Sequence, residues 1–325
     1  MTEIIVIDPL RKSVERASGG KQTVLWTKSG FPTYMNIIPQ FRLEELHPTA
    51  LGTGVHPAFI VDGVEKPEIF IGTYQAVLQD GEAISLPGQD PATSINFDTA
   101  RQACKNAGPG FHLMTNWEWA ALALQAIANG CDVRGNTDCG RSHSNRDEIG
   151  KPLPGSQTTR TGSGPASWRH DGTEHGIADM VGNIWEWVDG LKLMSGRIII
   201  PKDNAYGLDE LQWSATGACF DIVDGYPHIS DSITNEDYDS VMFRDMTANP
   251  GFEIPLAIRQ ALLLACPGIQ LLGRVWADNN EDFEALPIRG GGWNDGSHAG
   301  LAALYLFFGR SYAVSGLGFR PAFIG

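Results

Sequence analysis

The sequence predicts an α+β fold in which two short helices pack with small antiparallel sheets and long ordered loops carry much of the chain. Three observations predict it: a helix-start signal at Thr115, short β-branched runs closed by turn residues, and a polar Gly-rich stretch too long for an ordinary connection. At 325 residues the chain has room for one large or two modest domains, and 42% hydrophobic against 19% charged residues is a globular balance.

Taken in order, the first 55 or so residues read as an irregular or β-rich leader, with Thr23-Val24-Leu25-Trp26 and Pro32 to Pro39 as its extended runs. Ile69 to Val77 is rich in β-branched and aromatic residues and ends at Asp80-Gly81, which predicts a strand closing in a turn. Asp98 to Asn106 reads as a short helix stopped by Gly108-Pro109-Gly110. Thr115-x-x-Glu118 matches a capping box, in which the hydroxyl and carboxylate satisfy orphan amides of the first turn. Trp117, Ala120, Ala121, Leu124 and Ala128 then recur along one face, and Gly130 is a natural stop. Gly135 to Gly176 reads as loop. The segment from about Leu191 to Phe283 holds a strand-like Arg197 to Pro201 and an apolar, helix-like Leu256 to Ala265.

A formal charge of −14 argues against a nucleic-acid binder and against docking on anionic lipid, since both want clustered Lys and Arg. Met1 to Asp8 lacks a basic n-region and does not read as a signal peptide, and no apolar run is long enough to span a membrane. The five cysteines (Cys104, Cys131, Cys139, Cys219, Cys266) are scattered, which predicts free thiols rather than a disulfide framework or zinc site. Phosphate-loop, zinc-helix and nucleophile-elbow motifs are absent. Asp278-x-Asn280-x-Asp282 opens like a calcium loop but has Phe283 where Gly is needed and Arg289 where the bidentate Glu belongs. The acidic group Asp231, Glu236, Asp237 and Asp239 reads as a solvated loop before it reads as a cation site.

Two segments are denser in Gly, Trp and polar pairs than ordinary loops. The first is Asp179-Met180-Val181-Gly182-Asn183-Ile184-Trp185-Glu186-Trp187, where Gly182 and Asn183 suit a tight positive-φ turn. The second runs from Arg289-Gly290-Gly291-Gly292-Trp293 to Gly318-Phe319-Arg320. Trp185, Trp187, Trp293 and Phe319 are expected to be buried scaffold residues, with Arg320 an anchored guanidinium beside them. Together the two segments resemble the formylglycine-generating-enzyme type of the C-type-lectin-like fold. The second segment in full is similar to the variable region of diversity-generating retroelement target proteins, a group that includes phage major tropism determinants.

That resemblance implies a division into a leader or attachment segment at 1–60 and a C-type-lectin-like domain at 61–325. The domain would carry an insert at about 191–283 and a variable region at about 289–323. It further implies a ligand- or receptor-binding protein whose gene partners a reverse transcriptase and a template repeat, and whose ligand is a protein or glycan on a target surface. A phage virion or cell surface is the implied location. Randomised template adenines turn an AAC codon into any codon ending in C, and these exclude Lys, Glu, Gln, Met and Trp. Between Gly292 and Leu317 none of these occurs except Trp293, which sits in a motif position. The implied variable positions are Gly292, Asn294, Asp295, His298, Leu301, Ala302, Tyr305, Phe307, Phe308, Tyr312, Ala313, Val314 and Gly316.

Aromatics there suit a recognition face, because they supply contact area with little side-chain entropy to lose. The competing reading places them in the core; Leu304 and Leu306 favour the outward placement by taking the inward positions, with Phe308 breaking the alternation. The wider fold also implies calcium near Asn183 and Glu186, against a turn held by side-chain hydrogen bonds alone. An oxidase is the alternative function. Formylglycine-generating chemistry depends on a cysteine pair in this C-terminal stretch, and no cysteine here lies beyond Cys266. A structural phage or surface component, with the aromatics as an assembly interface, is the third reading.

Overall fold

The computed structural model describes residues 8–269 and 271–325, so the expectation for Met1–Ile7 lies outside the described residues. Two large sheets, two two-stranded ribbons and two principal helices form the expected α+β fold. The Phe97–Asn106 helix starts at Asn96, whose side chain accepts from the Thr99 amide. The Asn116–Ala128 helix starts on the reciprocal box expected of it: the Glu118 amide donates to Thr115 Oγ1 at 3.2 Å and the Thr115 amide to Glu118 Oε2 at 2.8 Å. It is buried on nearly every side rather than along one stripe, because sheet, insert and leader all close around it.

One sheet has five antiparallel strands in the order Gln22–Trp26, Pro32–Pro39, Glu68–Gly72, Pro321–Phe323 and Phe111–Leu113. The chain's last strand is thus clasped between two early ones. Two strands of the expected leader share this sheet with the rest of the protein. Pro9–Ala17, read as irregular or β, is a helix: Asp8 accepts from the Arg11 amide and Pro9 sits in the first turn.

The second sheet has eleven strands and curls on itself. Its main path runs Tyr238–Met242, Arg274–Asp278, Gly300–Phe308, Glu284–Gly290, Lys192–Met194, Arg197–Ile200, Ser214–Val223, Tyr226–Ser230, Thr247–Ala248. Trp185–Trp187 pairs with Glu284–Gly290, and Leu317–Phe319 pairs in parallel with Trp185–Trp187. The Arg274–Asp278 and Gly300–Phe308 strands are also parallel, so the sheets are not wholly antiparallel. Curling brings Tyr226–Ser230 to face Tyr238–Met242 across a cavity of about 790 Å³. The expected helix at Leu256–Ala265 is cut to Leu256–Gln260, and Leu262 takes a left-handed φ of 55°. The turn aims the Ala261 and Leu262 carbonyls at the guanidinium of buried Arg289, which would otherwise have only Asn116. Two cores result. The larger surrounds the Asn116–Ala128 helix, and the smaller gathers Phe97, Trp187, Ile288, Leu317 and Phe319. Among the described residues no helix is long and apolar enough to cross a membrane.

Candidate functional site

The Gly182-Asn183 turn organises the site. Both residues have positive φ, and a Cβ on Gly182 would lie 2.2 Å from the Asn136 carbonyl oxygen, so only glycine fits. Asn183 Oδ1 accepts from the Thr159 amide (2.7 Å), the Thr159 hydroxyl (3.2 Å) and Asn136 Nδ2 (3.1 Å), while its Nδ2 donates to Gln75 Oε1 (2.8 Å). Three residues on, fully buried Arg320 grips Glu186: Nε donates to Oε2 at 3.0 Å and Nη2 to Oε1 at 2.7 Å. The same guanidinium donates to the Gly72 and Ala178 carbonyls, tying the two sheets together. Asn183 and Glu186 therefore do not fit a calcium site. The carboxylate is neutralised by an arginine, and the amide oxygen already takes three donors. The turn is held by side-chain hydrogen bonds.

Of the scaffold residues, Trp187, Phe319 and Arg320 are fully buried as expected, with Trp187 Nε1 donating to the Ile95 carbonyl. Trp185 and Trp293 are only half-buried, a correction to the expectation. The Trp185 ring reaches out to meet Tyr305 at 4.1 Å between centroids, and Trp293 holds position chiefly through its backbone. Its amide donates to the Asn183 carbonyl (3.1 Å) and its carbonyl accepts from Cys139 (2.8 Å).

The structure sorts the C-terminal window into two groups. Gly292, Leu301 and Ala302 are buried, so these three do not project from a surface. Leu301 and Ala302 enter the larger core with Leu304 and Leu306, and Gly292 packs against the Trp185 indole. Asn294, Ala313 and Val314 are exposed, and Asp295, His298, Tyr305, Phe307, Phe308, Tyr312 and Gly316 are half-buried. Asp295 has a structural tie: its Oδ2 accepts from the Gly292 amide at 2.6 Å.

Phe308, which broke the alternation, is explained by a bulge. Ile288 pairs with Tyr305 but Leu286 pairs with Phe308, so one extra residue is inserted opposite the Glu284–Gly290 strand. Tyr305 and Phe308 continue the smaller core outward to the surface, and the Phe307 ring meets Phe308 beside them. Their rings form two runs: Tyr312 stacks on Phe308 (3.9 Å) and Phe308 meets Phe307 (5.3 Å), while Tyr305 meets Trp185. Trp276 closes the gap between Phe307 and Tyr305, and Tyr238 adds a ring beside Phe307. Trp276 lies 5.8 Å from each, and Tyr238 lies 5.0 Å from Phe307.

The sequence reading did not single out Trp276 and Tyr238, which lie in the segment expected to be an insert. Buried Val275 and Ala277 flanking half-exposed Trp276 is the period-2 signal that marks its outward side. Burial, and then the Asp295 carboxylate, push the Tyr305 hydroxyl well above its ordinary pKa. Burial and then the Arg274 guanidinium lower His298, so the face carries a neutral phenol and favours a neutral imidazole. Arg310 anchors the far end of the window; burial opposes its charge, but hydrogen bonds to Glu210, Glu284 and Asp98 outweigh that and raise its pKa.

Residues 63–219, just under half of the chain, match the family described as the sulfatase-modifying factor enzyme 1-like domain. The matched segment is similar to that domain family. It contains the Gly182-Asn183 turn, Trp187 and Glu186, and stops short of the C-terminal window. No curated protein matches the sequence closely enough to report. Among solved structures, PvdO from Pseudomonas aeruginosa is similar at 15% identity and a TM-score of 0.39, over 93% of this chain and 97% of that one. Treponema denticola variable protein 1 is similar at 12% identity and a TM-score of 0.37, over 93% and 98%. The major tropism determinant P3c variant is similar at 12% identity and a TM-score of 0.34, over 89% of this chain but only 62% of that one. Likenesses this distant carry no functional argument.

Proposed function

We propose that this chain is a hypervariable binding protein, diversified by a retroelement, that attaches a phage or cell to a protein or glycan on a target surface. One observation carries the reading. Ten of the thirteen expected variable positions reach the surface, while the buried residues around them form a motif scaffold. The ten are Asn294, Asp295, His298, Tyr305, Phe307, Phe308, Tyr312, Ala313, Val314 and Gly316. Binding is favoured over oxidation because the cysteines are in the wrong places for a thiolate pair. Cys104 is buried, its thiol pushed well above the ordinary range by desolvation, and no cysteine lies in the C-terminal window.

Deep sequencing of the gene in a passaged population tests the reading. Substitutions are expected to concentrate at the ten surface positions and to spare Gly182, Asn183, Trp187, Phe319 and Arg320. A window no more variable than residues 97–128 would overturn it.

A further inference from the structure

The aromatic chain does not stop at the edge of the window. Trp276 and Tyr238 stand beside Tyr305 and Phe307 on the same side of the sheet. The parallel register sets Trp276 against Tyr305, and the antiparallel register sets Tyr238 against Asp278 on the next strand. Tyr238 is 50% exposed, and its ring meets both Phe307 and Trp276 (6.4 Å). Neither residue lies in the C-terminal window, so both stay fixed while their neighbours are exchanged.

The same two insert strands border the cavity between Tyr226–Ser230 and Tyr238–Met242. Its wall holds the carboxylates of Asp224, Asp239 and Asp245 against the single guanidinium of Arg274. Asp224 and Asp239 form no ion pair among the described residues, and exposed Asp245 meets only its chain neighbour Arg244 at 3.6 Å. Arg274 Nη1 donates to Ser240 Oγ at 2.7 Å, which holds the guanidinium against the edge strand. No ring of the strip lines the recess. Tyr238 adjoins Asp239 in the chain and Trp276 stands two residues from Arg274, so the aromatic strip borders a recess with three negative groups and one positive, on a protein of charge −14.

We infer that the insert supplies a constant half of the binding site, specific for a protein partner presenting a Lys or Arg beside apolar side chains. This rests on the proposed binding face. Tyr238, Trp276 and Phe307 take the apolar groups, and the recess takes the cation. Charge complementarity selects this partner, because the fixed carboxylates repel acidic segments and the strip offers flat aromatic surface to an apolar neighbour. Such a division lets the window change its fine specificity while a coarse preference for basic, apolar segments persists.

The test selects random twelve-residue peptides displayed on phage against the full chain, then measures the synthesised peptides by fluorescence anisotropy at 50 and 200 mM salt. The peptides are expected to carry Lys or Arg next to Leu, Ile or an aromatic residue and to bind several-fold more weakly at the higher salt. Tyr238→Ser and Trp276→Ser should each weaken binding at least tenfold, and Asp239→Asn with Asp245→Asn should flatten the salt dependence. Tyr238 is half-exposed, so its variant keeps the test valid if Trp276→Ser fails to fold. Peptides lacking basic residues, or no selectable peptide at all, would overturn the inference. If Tyr305→Ser and Phe307→Ser abolish binding while Tyr238→Ser leaves it intact, the constant half is wrong and the variable face stands. If none of these changes matters, both are wrong.

Discussion

Arg320→Met tests what holds the scaffold beneath the face. Arg320 and Glu186 are 0% and 1% exposed, and the guanidinium makes four hydrogen bonds: two to the carboxylate and one each to the Gly72 and Ala178 carbonyls. Methionine fills much of the volume but leaves a buried carboxylate supported only by Gln75 Nε2 at 3.0 Å. Breaking one side of such a pair costs about 3–5 kcal/mol, because the remaining charge is neither solvated nor compensated. With a urea m-value of about 3 kcal/mol per molar, the unfolding midpoint should fall by roughly 1–1.7 M. Adding Glu186→Gln removes the orphaned charge, so the double variant should be more stable than Arg320→Met alone. Equilibrium urea unfolding followed by tryptophan fluorescence reads both quantities. A loss below about 1 kcal/mol for Arg320→Met, or a double variant less stable than the sum of the singles, would refute the clamp.

Two further outcomes follow from burial. Phe307→Ser and Tyr312→Ser, at half-buried positions, should each lower stability by about 1 kcal/mol. Leu304→Ala, fully buried in the larger core, should cost about 2–5 kcal/mol, and the reverse order in urea unfolding would mean that the two faces of the strand are misassigned. Burial also holds both His56 and His170 at about 4, below the 6.5 of a free imidazole. The unfolded chain then binds more protons below pH 6.5, so the stability contributed by each neutral ring is full above 6.5 and declines as pH drops. The decline approaches about 3 kcal/mol per ring below pH 4. His56→Gln should reduce this acid sensitivity between pH 7 and 4.5, and an unchanged pH profile would contradict it.

What the sequence disclosed was local. The capping box at Thr115 and the positive-φ turn at Gly182-Asn183 are chemistry within a few residues, and each forms where it was expected. The Pro9–Ala17 helix had an N-cap, a first-turn proline and Leu10 and Val14 at helical spacing, signals that the β-rich reading of the leader passed over; none of its residues is buried. Leu256–Ala265 had the period but loses its second half to the demand of Arg289 for two carbonyls, a partner far along the chain. The aromatic face was visible in outline as a cluster in the window. Its insert half was not, because Tyr238 and Trp276 join it only through strand registers spanning long stretches of sequence.

The division between framework and face also has a backbone side. The window is hydrogen-bonded by main-chain groups outside it: Asn183 to Trp293, Thr137 to Gly296, Cys139 to Trp293, and Ser94 to Val314. Trp119 adds an indole donor to the Leu301 carbonyl at 2.8 Å. None of these bonds uses a window side chain, so exchange at Asn294, Phe307, Ala313 or Val314 leaves each in place. Asp295 differs, since its own carboxylate caps the Gly292 amide beside the Trp185 indole. Under the proposed diversification, Asn, Ser and Thr are the replacements reachable from a randomised AAC codon that offer a comparable short acceptor. Tolerance to exchange is therefore expected to be broad along the aromatic strip and narrow at Asp295, whose carboxylate caps the turn that opens the window.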